Sequence, residues 1–162
     1  MSSVLDNRNP VGLIANIGLA IAVAAVGNGI IFLLGWSGEV PGRQFPAFQP
    51  PGWVIGLVWM ALFAALGAAR WLTAQSHDSR GRRNARLITA LIVICFAYPY
   101  YTVGFRSLEL GLAGSIATMV IAVSLAWRVA QQSRIAGFLV LATGLWCAFA
   151  SVLVLRTLQI NA

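Results

Sequence analysis

The stretch that decides the fold is VGLIANIGLAIAVAAVGNGIIFLLG, residues 11–35, which carries no charged side chain. The hydrocarbon core of a bilayer is about 30 Å thick, so a helix needs roughly 20 apolar residues to cross it. Backbone polar groups in hydrocarbon must be satisfied within the protein, and barrel strands would be only about ten residues long with alternating polarity. This stretch therefore predicts a transmembrane helix.

Four further apolar runs are long enough to cross a bilayer. With the first, they predict spans at residues 11–35, 53–75, 87–105, 110–130 and 135–158. Arginines lie only at the edges of these runs, where they can reach the headgroups. The connections are short, at residues 36–52, 76–86, 106–109 and 131–134, so consecutive helices should be antiparallel neighbours. We expect an all-α integral membrane protein, a five-transmembrane-helix bundle that forms one domain over residues 1–162.

The composition supports this fold class. Hydrophobic residues make up 59% of the chain and charged residues 9%, and the mean hydropathy is +0.82. Soluble domains average roughly 45–50% apolar and about 25% charged residues. The composition therefore excludes a soluble enzyme, a disordered chain and a disulfide-rich secreted domain. The net charge of +7 does not indicate a nucleic-acid partner, because the arginines flank apolar runs instead of following one solvated face.

The distribution of arginine predicts the topology. Eight arginines lie on the side of the N-terminus and of the second and fourth connections: Arg8, Arg70, Arg80, Arg82, Arg83, Arg86, Arg128 and Arg134. The other side has three: Arg43, Arg106 and Arg156. Because arginine accumulates on the cytoplasmic side, we expect a cytoplasmic N-terminus and an external C-terminus.

Residues typical of catalysis, ion coupling or metal binding are scarce. No Asp, Glu, Lys or His lies in the middle of a run, which disfavours ion-coupled transport. The one histidine, His77, lies in an arginine-rich connection, so no metal site is expected. Cys95 and Cys147 are predicted to be buried apolar fillers. We therefore expect no catalytic residue of these types and no required cofactor.

Aromatic residues are the remaining candidates for function. Trp146 lies near the middle of the fifth run, where its indole N–H needs a partner inside the bundle or in a ligand. Helical spacing brings small residues such as Ala150 to the same face. A large ring beside small residues is consistent with close helix packing and equally with a ligand slot.

The third run contains a second aromatic group. Pro99 cannot donate to the carbonyl of Cys95, so the helix should kink there, with three tyrosines clustered around the kink. Ala97, Tyr100 and Tyr101 share roughly one face, which should point into the bundle or lie near its rim. A pure packing role for this face is the alternative.

The segment Phe48-Gln49-Pro50-Pro51-Gly52-Trp53-Val54, followed by Leu57-Val58-Trp59, resembles the signature of the TspO/MBR family, the tryptophan-rich sensory or translocator proteins. The length, the five runs and the long first connection also agree, as does Asn161 at the end of the fifth run. Two positions depart from the pattern: Phe48 replaces the usual tryptophan, and Ala97 replaces an asparagine of the third helix.

The resemblance implies a membrane receptor, sensor or translocator whose first connection covers a pocket as a lid. The ligands it implies are flat and apolar, such as porphyrin and haem, and members are commonly homodimers within the lipid membrane. The residues it implies for ligand binding are Pro50, Pro51, Trp53, Leu57, Ala97, Tyr100, Tyr101, Trp146 and Ala150, with Arg43 and Phe48 in the lid. Two alternatives remain: a light-dependent porphyrin-degrading enzyme with Trp53 and Trp146 as redox groups, and a structural subunit without a ligand.

Overall fold

The computed structural model describes residues 5, 9–36, 42–75, 79–102, 104 and 107–162, with only the backbone of residues 101 and 102. The helices are α1 (Pro10–Leu33), α2 (Gly52–Ala74), α3 (Ser79–Thr102), α4 (Leu108–Ala130) and α5 (Arg134–Ile160). Within these residues there is no strand, and the predicted all-α class is confirmed. Helices α1, α2, α4 and α5 are long and apolar enough to cross a membrane, which indicates a membrane helical bundle.

Helix α3 differs from the prediction. The segment at residues 76–86 was expected to be a connection, but its part from Ser79 onward is helical and continues into the apolar run. The expectation was wrong because low hydropathy reports where a chain leaves the membrane, not where a helix ends. Arginine favours helix, and the segment contains no proline. The bounds of the other four helices differ from the predicted spans by two residues or fewer.

Three helices begin at residues that cap them. The side chain of Asn9 accepts a hydrogen bond from the Gly12 N–H at the start of α1. The side chain of Ser107 accepts from the Leu110 N–H at the start of α4. The side chain of Ser133 accepts from the Ala136 N–H at the start of α5. Such caps satisfy N–H groups that have no partner within the helix.

The helices pack in the order α1, α2, α5, α4 and α3, with α3 also contacting α1 and α2. Small residues allow the closest approaches. A Cβ atom added to Gly67 of α2 would lie 2.6 Å from the carbonyl oxygen of Asn16 in α1. Fully buried side chains fill the centre, the largest being Leu66, Ile88, Leu91, Val129 and Val140.

The antiparallel course gives the bundle two different ends. At the arginine end, where α2 and α4 finish and α3 and α5 begin, Arg70 donates to the Asn16 side chain of α1 at 2.5 Å. At the lid end, α1, α3 and α5 finish and α2 and α4 begin. The described part of the first connection, residues 42–51, lies at the lid end. Every residue predicted for the ligand site belongs to this connection or to the parts of α2, α3 and α5 that lead to the lid end.

Candidate ligand-binding site

The first connection is tied to the end of α5. The backbone N–H of Gln44 donates to Oδ1 of Asn161 at 2.9 Å, and Nδ2 of Asn161 donates back to the Gln44 carbonyl at 2.8 Å. The same Nδ2 group donates to the carbonyl of Thr157 at 2.7 Å, which holds the amide in place. Pro46 is buried within the connection. The connection is therefore held at a defined position over the lid end.

Aromatic rings make a second attachment, which we call the lid cluster: Phe48, Trp146 and Phe149. The ring centroids of Phe48 and Phe149 are 6.3 Å apart, and those of Phe149 and Trp146 are 5.3 Å apart. Trp146 is half-buried, and its indole N–H has no acceptor among the described residues. The structure thus brings two predicted site residues, Phe48 and Trp146, together through Phe149.

A second group, the α1–α3 cluster, consists of Trp36, Phe96 and Tyr100. The Tyr100 ring lies 6.0 Å from that of Trp36 and 5.3 Å from that of Phe96. Gly27 of α1 makes room for the Phe96 ring, because a Cβ atom added there would lie 3.0 Å from that ring. The Tyr100 hydroxyl is buried and has no hydrogen-bond partner within the described part of the chain. A buried polar group without a partner costs about 1–3 kcal/mol.

Tyr98 was expected to cluster with the other tyrosines around Pro99, and this expectation is wrong. Its hydroxyl donates to the Gly111 carbonyl of α4 at 3.1 Å and lies 2.7 Å from Oγ of Ser115. Residues two apart on a helix point about 200° apart, so Tyr98 faces α4 while Tyr100 faces α1. The side chain of Tyr101 lies outside the described residues.

The remaining predicted residues are less enclosed. Trp53 and Leu57 expose 70% and 61% of their surface, and the Trp53 ring makes no contact with that of Trp146. Pro51 is exposed, whereas Pro50, Ala97 and Ala150 are half-buried. Trp53 and Trp146 therefore do not form the two walls of one closed slot.

Arg43 is half-buried at the lid end. Its charge acts on the carboxylate of Glu109, which also accepts a hydrogen bond from Oγ of Ser107 at 2.8 Å. Arg43 and the start of α4 thus lie at the same end of the bundle.

Sequence reasoning did not select Phe149, Trp36 or Gln44. Phe149 lies three residues after Trp146, and this spacing already indicates a shared helix face. Trp36 lies near the end of a span, where a tryptophan is expected at the membrane interface. This position gave no reason to predict its contact with Tyr100. Gln44 gives no signal in the sequence, because it uses only backbone atoms to bind Asn161.

We predict that Asn161→Ala loosens the first connection. The change removes both hydrogen bonds to Gln44 and should cost about 0.5–1.5 kcal/mol for each bond. Amide hydrogen exchange of residues 42–50 should become several-fold faster, while exchange in the middle of α5 stays unchanged. Asn28→Ala, at an exposed position of α1, is the control. Equal exchange rates in the wild-type protein and Asn161→Ala would show that the anchor does not hold the lid.

The model of the TspO/MBR family matches residues 14–159, which include every residue predicted for the site. The match lacks only the first four residues of α1 and the last residue of α5, and Asn161 lies just beyond it. No curated protein matches the chain.

Proposed function

This chain belongs to the TspO/MBR family, as its sequence signature predicted, and on that premise we propose that its lid end binds flat apolar ligands of the porphyrin or haem type. Family membership and four helices of sufficient length and apolarity make it an integral membrane protein. Membership also supports a role as a membrane sensor, receptor or transporter. The ligand class is our proposal.

One observation carries the proposal: the lid end has aromatic rings whose polar atoms are unsatisfied. The hydroxyl of Tyr100 and the indole N–H of Trp146 have no partner among the described residues. A tetrapyrrole offers a large aromatic face for stacking and nitrogen and carboxylate groups for these donors. Its propionates would bind Arg43 in competition with Glu109. Four prolines in the first connection lower the entropy cost of ordering it around a ligand.

The test is a titration of detergent-solubilised protein with protoporphyrin IX, followed by quenching of tryptophan fluorescence in the dark. Saturable quenching at a stoichiometry near one per chain is expected. The same titration under illumination distinguishes the rivals, because a binder returns its ligand unchanged. A new absorbing product formed only in light would favour the porphyrin-degrading enzyme. Absence of saturable quenching would favour the structural subunit.

We further propose that α3 also crosses the membrane, from about Leu87, giving five spans with the N-terminus in the cytoplasm. Helix α3 packs against α1, α2 and α4, and its residues Ile88 and Leu91 are fully buried. The arginine end then faces the cytoplasm.

This topology predicts opposite results for reporters at the two ends. A fluorescent protein that matures only in the cytoplasm should be bright before residue 1 and dark after residue 162. A phosphatase that is active only outside should show the reverse. Both ends on one side would mean that α3 does not cross, and inverted signals would overturn the orientation.

We also propose a homodimer, which family resemblance implies. Light scattering of the detergent-solubilised protein, corrected for bound detergent, should give twice the 17.3 kDa of one chain. A protein mass of one chain at all concentrations would contradict it.

A further inference from the structure

A polar pocket lies at the arginine end, opposite the lid. It has a volume of about 380 Å³ and lies between the start of α3 and the end of α4. The residues that line it all carry polar or charged side-chain groups: Arg80, Asn84, Arg128, Gln131 and Gln132. Two of these side chains are cations and none is an anion, so the chemistry of the pocket suits a negatively charged group.

A chain of hydrogen bonds positions one of the two arginines. Asn84 is 3% exposed, and its Oδ1 accepts from Nε of Arg128 at 2.9 Å. Its Nδ2 donates to Oε1 of Gln132 at 3.0 Å, and Nε2 of Gln132 donates to the carbonyl of Thr73 at 3.1 Å. Each donor in this series of three hydrogen bonds has an acceptor, which fixes the orientation of the side-chain amides of Asn84 and Gln132.

The bonding leaves the binding atoms of both arginines available. Only Nε of Arg128 takes part in these hydrogen bonds, so the two Nη groups of Arg128 have no partner among the described residues. Arg80 makes no hydrogen bond or ion pair with any described residue. It lies in the first turn of α3, where the helix dipole adds positive potential. Guanidinium groups bind phosphate oxygens in a bidentate manner.

The level of the pocket in the bundle identifies the source of the anion. Trp127, next to Arg128, is 75% exposed, and indole rings prefer the headgroup level. On the other side of the connection, Ile135 and Phe138 are large exposed apolar residues, of the kind expected on a surface that faces lipid. The pocket therefore opens where the apolar surface of the bundle ends, which is where phospholipid phosphates lie.

We propose that this pocket binds the phosphate group of an anionic phospholipid, with Arg80 and Arg128 as its cationic ligands and Asn84 as a positioning residue. Neighbouring arginines at the same end, Arg86 and Arg134 among them, attract anionic lipids without selecting one position. The pocket adds one defined binding position to the general attraction that these surface charges exert on anionic lipids. The proposal does not rest on the tetrapyrrole function, because the two sites lie at opposite ends.

The test measures retention of added lipid by native mass spectrometry of the detergent-solubilised protein. The probes are phosphatidylglycerol and phosphatidylcholine with identical acyl chains, and we expect the wild-type protein to retain phosphatidylglycerol preferentially. The double variant Arg80→Gln with Arg128→Gln should weaken phosphatidylglycerol binding by about tenfold or more. The matched control, Arg86→Gln with Arg134→Gln, removes the same charge from the same end outside the pocket. It should weaken binding several-fold less than the pocket double variant does, because it alters only the surface field.

Two further variants keep the test decisive if the double variant is unstable. Arg80→Gln alone changes an exposed side chain without described bonds and should still weaken binding several-fold. Asn84→Leu keeps every charge but releases Arg128, and it should weaken phosphatidylglycerol binding without affecting phosphatidylcholine.

Three results would overturn the proposal. The first is an equal loss in the pocket and control double variants, which would assign lipid attraction to the surface field alone. The second is equal retention of the two lipids by the wild-type protein. The third is displacement of phosphatidylglycerol by millimolar inorganic phosphate, which would identify a site for the free anion.

Discussion

Replacing Gly67 with alanine is expected to lower the melting temperature of the detergent-solubilised protein by about 4–10 °C. The new Cβ would lie 2.6 Å from the Asn16 carbonyl oxygen and 3.1 Å from Cβ of Ala20, both in α1. Asn16 cannot easily retreat, because its side chain donates to the carbonyls of Leu5 and Gly12 and accepts from Arg70. Helices α1 and α2 must therefore separate, and their shared core loses contact.

Gly56→Ala is the matched control on the same helix. A Cβ atom there meets no other atom within 4 Å, so the melting temperature should stay the same or rise slightly, since alanine favours helix. Unfolding can be followed with a maleimide dye that fluoresces when the buried thiols of Cys95 and Cys147 become accessible. Equal melting temperatures for both variants would show that the α1–α2 contact is not tight.

Trp146→Phe and Trp53→Phe should each weaken binding of protoporphyrin IX by about 0.5–2 kcal/mol, or about twofold to thirtyfold in Kd. Phenylalanine offers a smaller face for stacking and no N–H donor. The change at position 53 should leave stability intact, because Trp53 is 70% exposed and contributes little to packing. At position 146 the new ring can still contact Phe149. Affinity is best followed by the absorbance of the porphyrin, since both variants lose intrinsic fluorescence.

Trp127→Phe provides the control for this pair. Trp127 is 75% exposed and lies at the arginine end, so its replacement should leave porphyrin affinity unchanged. If Trp146 serves only for packing, Trp146→Phe will lower the melting temperature and keep the wild-type affinity. Wild-type affinity in both Trp53→Phe and Trp146→Phe would contradict the assignment of the site.

The spans of α1, α2, α4 and α5 were predictable because lipid imposes a simple rule on sequence. Each run must be about 20 residues long and nearly free of charge, and polar caps or arginines mark its ends. The helices that Ser107 and Ser133 cap begin within two residues of the predicted boundaries. The start of α3 at Ser79 could not be predicted in this way, because a helix can continue beyond the point where it leaves the membrane.

The arrangement of the site was less predictable, because it depends on rotation about helix axes and on contacts distant in sequence. Tyr98 and Tyr100 are two residues apart, and the sequence suggested one cluster, but they contact different helices. Trp53 and Trp146 were expected under one lid, yet the ring that meets Trp146 is Phe149. Gln44 and Asn161 illustrate the general difficulty, because they are 117 positions apart in the sequence and no local pattern couples them.

The same separation has a consequence for biogenesis. Gln44 leaves the ribosome 117 residues before Asn161, which at about 5–20 residues per second corresponds to roughly 6–25 s of translation. During that interval the lid has no anchor, while the helices that precede α5 can already insert and associate. The first connection can therefore be anchored only after α5 has been synthesised through Asn161. A nascent chain stalled within α5 would carry an inserted bundle with an unanchored lid.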